Sequence, residues 1–298
     1  MHISRKSRWL PALAIVTLAT ACGGEAPPKD PLTTDAAQDG VQEVRQQKSR
    51  KIFYTIPSPM ETAALLKRAG AAYDARIPND VRNVDRYTTA SKQALNLGVY
   101  GADLSYASVH NQTQESMFYT SCSKRLAENL GVTGVFNESV LERMERNMNN
   151  RDSLLDIIST TYWDVDAYMK ENGRENISAL MITGGWIEGL YIATQVAAEK
   201  GSLELRQRVA EQKHSLNDLI GLLNTYPDDP TLAGPRADLQ ALAELFLPVM
   251  TGSAGESVTV ENGVTVVGAG QTTPAAITDE QFTAIRDKVA EIRNNYIK

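Results

Sequence analysis

Two acidic residues sit where a helix should be apolar. The segments ALNLGVYGADLSYA (94–107) and ALMITGGWIEGLYIA (179–193) are rich in Ala, Leu and Gly, and each holds a single acid, Asp103 or Glu188. A carboxylate inside an apolar helix is desolvated, which raises its pKa; two of them in one pocket are poised for acid–base or hydrolytic chemistry, or for holding a cation. Tyr100, Tyr106, Trp186 and Tyr191 are spaced to line such a pocket. The nearby glycines, Gly98, Gly101, Gly184, Gly185 and Gly189, carry a second reading. Each weakens a helix by about 1 kcal/mol relative to Ala, a loss that close helix–helix approach would offset. Pocket and close contact both remain open at this level.

Other chemistry is scarce. The histidines beyond the first residues are His110 and His214, and neither has a partner at the spacing of HExxH. His214, in EQKHSLND, reads as solvent-facing. There is no GxSxG, no P-loop and no CxxCH, so no cofactor is expected. Pro227-Asp228-Asp229-Pro230 is an acidic turn without EF-hand spacing, and Gly268-Ala269-Gly270 is a strand exit rather than a nucleotide loop. No catalytic set is identified, and whether the chain is an enzyme stays open, with binding the favoured class.

The remaining reactive candidate is Cys22. Arg5, Lys6 and Arg8 precede an uncharged apolar run, Trp9–Ala19, which is too short to span a bilayer and of signal-peptide length. Ala19-Thr20-Ala21 and then Cys22-Gly23-Gly24 follow. This order resembles the lipobox of bacterial lipoproteins, although the consensus usually has Leu where Ala19 stands. The resemblance implies cleavage before Cys22 and lipid on its thiol; two or three acyl chains would give durable anchoring. It also implies, with no Asp after Cys22, an outer-membrane protein facing the periplasm. Residues 23–51 are polar with three prolines, a composition that cannot form a core and suits a flexible tether.

Loss of residues 1–21 removes Arg5, Lys6 and Arg8 and no acid, taking the formal charge from −6 to −9. An acidic body argues against nucleic acid or anionic lipid as the main partner. Cys122 is then the single free thiol, which excludes an intrachain disulfide; it is expected to be buried and inert. The expected plan is a signal peptide (1–21), lipidated Cys22 with its tether (22–51), a helical bundle (52–250), and a hairpin with a closing helix (251–298).

Helix signals dominate the body. Ser58-Pro59-Met60-Glu61 is a capping-box start, and AYDARIPNDVRNVDRY reads as a loop. Long helices are expected over TTASKQ…SVHN, ESMFYTSCSKRLAENLG, NESVLERMERNMNN (capped by Asn137), RDSLLDIISTTYWDVDAYMKENG, ENISALMITGGWIEGLYIATQVAAEKG, SLELRQ…LLNTY and TLAGPRADLQALAELFLPVM. The fifth of these is the most apolar, yet Glu188 interrupts it, so it reads as a buried central helix rather than a membrane span. SVTVENGVTVVGAG pairs two Val/Thr runs about Asn262-Gly263, a hairpin signal, and Thr278-Asp279-Glu280-Gln281 caps a helix with the stripe Phe282, Ile285, Val289, Ile292, Tyr296. The fold class is therefore all-α: eight or nine helices with one small hairpin packed on them.

The two acidic segments also echo each other. At an offset of 85, Asp103 matches Glu188 and Tyr106 matches Tyr191, consistent either with two similar helical halves (58–150 and 151–250) or with chance likeness of Ala/Gly-rich helices. The overall plan is similar to imelysin-like periplasmic lipoproteins linked to iron uptake, whose hallmark is GxHxxE. Here the nearest stretch, Gly184–Glu188, has Trp186 where His belongs, so no metal role is transferred. More of the body, from IPSPMETAALLKRAG to ITGGWIEGLYIATQVA, resembles an uncharacterised lipoprotein family of Bacteroidetes-type bacteria, which implies no activity. The expected role is a lipid-anchored envelope protein that binds or scaffolds an envelope protein or small ligand. The alternative is a metal- or ligand-binding, or hydrolytic, protein using Asp103 and Glu188.

Overall fold

Helix punctuation in the sequence maps directly onto the architecture. A computed structural model describes the backbone of residues 59–132, 134–147, 150–250, 253–261, 264–273 and 275–298, with side chains from residue 63 onward apart from 133, 148–149 and 251–274. The signal peptide, Cys22, the tether, the Ser58 cap and Met148 lie outside these residues. All described residues belong to one compact unit, Glu43–Lys298.

Nine α-helices and one 3-10 helix occur among the described residues, and the chain is mostly helical. They are α1 (Pro59–Arg68), the 3-10 helix (Val81–Arg86), α2 (Ala90–Val109), α3 (Thr113–Asn129), α4 (Glu138–Arg146) and α5 (Arg151–Glu171). Then come α6 (Glu175–Lys200), α7 (Leu203–Leu223), α8 (Pro230–Phe246) and α9 (Asp279–Tyr296). Side-chain caps start most of them, because the first backbone N–H groups of a helix lack intrahelical acceptors. Asn137 accepts from Val140 N–H, Ser202 from Leu205 N–H, and Asp229 from Thr231 N–H. Thr278 and Gln281 complete a reciprocal capping box on α9. At the end of α6 the chain reverses through Gly201 at φ +61°, a left-handed conformation that suits glycine.

Two differences from the expected elements have local causes. The loop before α2 contains the 3-10 helix, which forms because Asp80 accepts from Arg82 N–H and its carboxylate also pairs with the Arg82 guanidinium. α7 stops at Leu223 rather than at Pro227, since Thr225 and Tyr226 turn back onto the carbonyls of Leu222 and Leu223. α8 ends at Phe246, just before Pro248, where the sequence places its break: the proline has no N–H with which to continue the helix.

Helices α2 and α6 form the centre. Every residue of α2 from Ala94 to Val109 is buried, and α6 is buried on all faces from Ile177 to Leu190. α6 is the one described helix long and apolar enough to cross a membrane, but the surrounding helices cover it. A helix apolar all round needs such a surround. The pair meets backbone to backbone. A Cβ on Gly98 would strike the Met181 carbonyl oxygen and lie 2.5 Å from Gly185 N, and one on Gly184 would strike the Leu95 carbonyl oxygen. The glycines thus serve close approach at this crossing. Gly101 faces a different neighbour: its Cβ would sit 2.6 Å from the Tyr162 ring.

Helix α9 closes the bundle against α6, α8 and α2, burying Phe282, Ile285, Val289, Ile292 and Tyr296 as their spacing predicts. Between α8 and α9, β1 (Ser253–Glu261) and β2 (Val264–Thr273) pair antiparallel with Thr259 opposite Val266. The side chains of both strands and the turn at Asn262-Gly263 lie outside the described residues, and so does the expected seat of the hairpin on the helices.

Candidate functional site

The α2–α6 crossing carries Asp103 and Glu188 to the same place. Both are fully buried, at 0% exposure. Beside them lies Arg293 of α9, 6% exposed. Its Nε donates to Glu188 Oε2 at 2.9 Å and its Nη2 to Oε1 at 3.1 Å, a bidentate pair that takes both carboxylate oxygens. Nη2 also donates to the Ile77 carbonyl at 3.2 Å. Two residues on, Asn79 N–H donates to Asp103 Oδ2 at 3.1 Å, so the segment before the 3-10 helix ties to both ends of the cluster.

The charges follow from this geometry. Burial first, and then the Glu188 charge, push the Asp103 carboxyl well above the usual carboxylate range; Arg293 and the Asn79 N–H pull the other way and do not prevail. For Arg293, burial works against the charged form, but the Glu188 carboxylate outweighs it and holds the guanidinium above its ordinary value. Tyr191 lends its ring face, with the Arg293 guanidinium carbon 4.6 Å from the ring centroid.

The predicted pocket residues part company here. Asp103, Glu188 and Tyr191 share the cluster. Tyr100 is buried next to it, its hydroxyl donating to the Asp80 carbonyl at 3.0 Å. Tyr106 turns to the segment after α1, donating to Ala72 O at 3.3 Å and accepting from Asp74 N–H at 3.1 Å. Trp186 faces α7, where its Nε1 donates to Ser215 Oγ at 3.2 Å. The six residues therefore do not line one pocket. Arg293 escaped the sequence reading, although its spacing held a signal: it lies four residues after Val289 and three before Tyr296, a charge on the buried side of a helix.

Chemically the cluster can hold a proton between two carboxyl groups and a guanidinium. A cation would compete with Arg293 for the two Glu188 oxygens, and no group of three or more metal-ligating side chains occurs among the described residues. The other sequence candidates lie elsewhere. His214 is exposed. His110 is half-buried against Tyr106, ring centroids 4.9 Å apart, and burial with help from Lys67 pushes its pKa down to about 4. Cys122 is 5% exposed and unpaired; burial pushes its thiol up to about 12.

A separate groove of about 510 Å³ runs between α3 and α4, lined by Met117, Leu141, Met144, Lys124, Arg125 and Glu128 among others. Met117 and the adjacent Phe118 are exposed at 45% and 44%.

No known protein family, characterised protein or solved structure matches the chain. The functional reading therefore rests on its own residues.

Proposed function

We propose that this chain is a lipid-anchored protein of the cell envelope, held through Cys22 at the outer membrane and facing the periplasm, whose helical body binds or scaffolds an envelope partner. One observation carries the choice of binding over catalysis. The acid pair is closed: both carboxylates are fully buried and Arg293 occupies both oxygens of Glu188. Hydrolysis or cation binding there would need an opening to solvent and release of the Glu188 oxygens from Arg293. Binding then falls to the surface, and the α3–α4 groove with Met117 and Phe118 offers apolar contact of a size suited to a small ligand or an inserted side chain. The lipobox order around Cys22 and the polar tether supply the anchor in this reading.

The alternative, a metal- or ligand-binding or hydrolytic protein working through Asp103 and Glu188, draws on their convergence in the core. The duplication reading draws on the same place: the echoing segments lie on α2 and α6, and matched positions Asp103 and Glu188 meet. We infer two related halves fastened by the hairpin and α9.

Capture from envelope membranes with the full lipidated chain as bait separates the two functions. Recovery of one stoichiometric partner, lost on Met117→Glu, is the expected result. A chain that brings down no partner and carries a bound divalent metal would overturn it.

A further inference from the structure

Asp103 has one carboxyl oxygen accounted for and one not. Oδ2 accepts from Asn79 N–H, while Oδ1 is buried with no hydrogen-bond donor to accept from among the described residues. The Glu188 carboxylate that faces it has both oxygens held by Arg293. With both acids ionised, two negative charges would share a single guanidinium away from the solvent-exposed surface, which is unfavourable. A proton kept on Asp103 removes both difficulties, because Oδ1 becomes a donor and Glu188 is the acceptor within hydrogen-bond reach.

We propose that Asp103, Glu188 and Arg293 form a proton-operated latch: the proton on Asp103 keeps α9 seated on α2 and α6, and its loss as pH rises frees the C-terminal helix.

Helix α9 is the element that can yield. α2 and α6 cannot readily part, being in backbone contact at Gly98, Gly184 and Gly185. α9 is held by side chains. Besides Arg293, Asn96 Nδ2 donates to Tyr296 O at 2.9 Å, and Tyr87 Oη to Ile297 O at 3.2 Å. When Asp103 ionises, the second buried charge is relieved by admitting water, and the lifting of α9 admits it.

Other ionisable groups around Asp103 do not take its place. Tyr100 shares its helix; Tyr119 and Cys122 face it from α3, Tyr162 from α5, Tyr191 from α6 and Tyr73 from the segment after α1. Burial is the first cause that raises each of them, so each stays neutral as Asp103 gives up its proton, and Arg293 stays charged. The sign is then fixed. The folded chain holds a proton that the unfolded chain, with its Asp near pH 3.9, releases. The group's contribution to stability is complete below that value and declines as pH rises toward the folded pKa, by up to about tenfold in the folded-to-unfolded ratio per pH unit.

The test is hydrogen–deuterium exchange of the α9 amides in the full chain, from about pH 5 to about pH 9, corrected for intrinsic rates, in wild type and Asp103→Asn. An asparagine amide keeps a donor toward Glu188 and an acceptor for Asn79 but cannot titrate. The expected result is α9 opening that grows with pH by up to about tenfold per unit in wild type and stays flat in the variant. Infrared spectroscopy of the wild type at neutral pH supplies a second readout that needs no variant, a carbonyl band from a buried protonated carboxyl. Parallel pH profiles in the two proteins, α9 opening in wild type that does not change with pH, or the absence of that band would overturn the latch.

Discussion

Arg293 reaches Glu188 across 105 residues of chain and takes both of its carboxylate oxygens, at 2.9 and 3.1 Å. That pair joins the last helix to the central one deep in the core, with Glu188 0% and Arg293 6% exposed. Removing one member leaves the other as an unpaired buried charge, which is far worse than removing both. Arg293→Met is expected to lose about 3–5 kcal/mol of stability in urea unfolding. The double variant Arg293→Met/Glu188→Gln should recover part of that loss, and a double-mutant cycle measures the coupling.

Two glycines of opposite kind, one at the α2–α6 crossing and one beside open space, differ in what a methyl group would meet. Gly98→Ala drives a Cβ into the Met181 carbonyl oxygen, which belongs to rigid helix backbone. It should cost about 3 kcal/mol, the upper part of the overpacking range. Gly221→Ala, within α7 with open space around the new methyl, should instead stabilise by about 0.5–1 kcal/mol. Thermal unfolding of both variants checks the contrast.

On the acid side, His110 acts in the direction opposite to Asp103. Its folded pKa, about 4, lies below the ordinary value of 6.5, so the unfolded chain binds the extra proton between them. The stability it contributes is present above pH 6.5 and is lost as pH falls through about 4. Replacing it by Gln should raise the unfolding midpoint at about pH 4 relative to that at about pH 7, compared with wild type, and leave the opposite trend set by Asp103 in place.

Thiol chemistry offers a counting experiment. Cys122 is buried with its pKa pushed up to about 12, so a thiol reagent should leave it untouched in the native chain. In urea, one thiol should react in membrane-extracted protein, because the proposal places a thioether on Cys22. Two reactive thiols would count against the anchor.

Much of this arrangement was legible because apolar helices that carry an acid advertise it. Asp103 and Glu188 stood out against Leu, Ala and Gly, and their convergence was one of the outcomes that contrast allowed. The capped start and stripe of α9 were equally plain, from Thr278 to Tyr296. Trp186 was misplaced for a geometric reason: two residues before Glu188 is about 200° around a helix, so the two side chains leave opposite faces. Tyr191, three residues after Glu188, stays on its face. Arg293 sits at the edge of the α9 stripe, where an arginine ordinarily reaches water. Its partner is remote in sequence, and no local spacing announces a pairing of that range.

Native mass spectrometry of the chain extracted from membranes reads the anchor and the acid pair together. The expected species begins at residue 22, carries fatty acyl chains there and holds no metal. A chain with an unmodified start, or one with a stoichiometric divalent metal that Glu188→Gln removes, would contradict it.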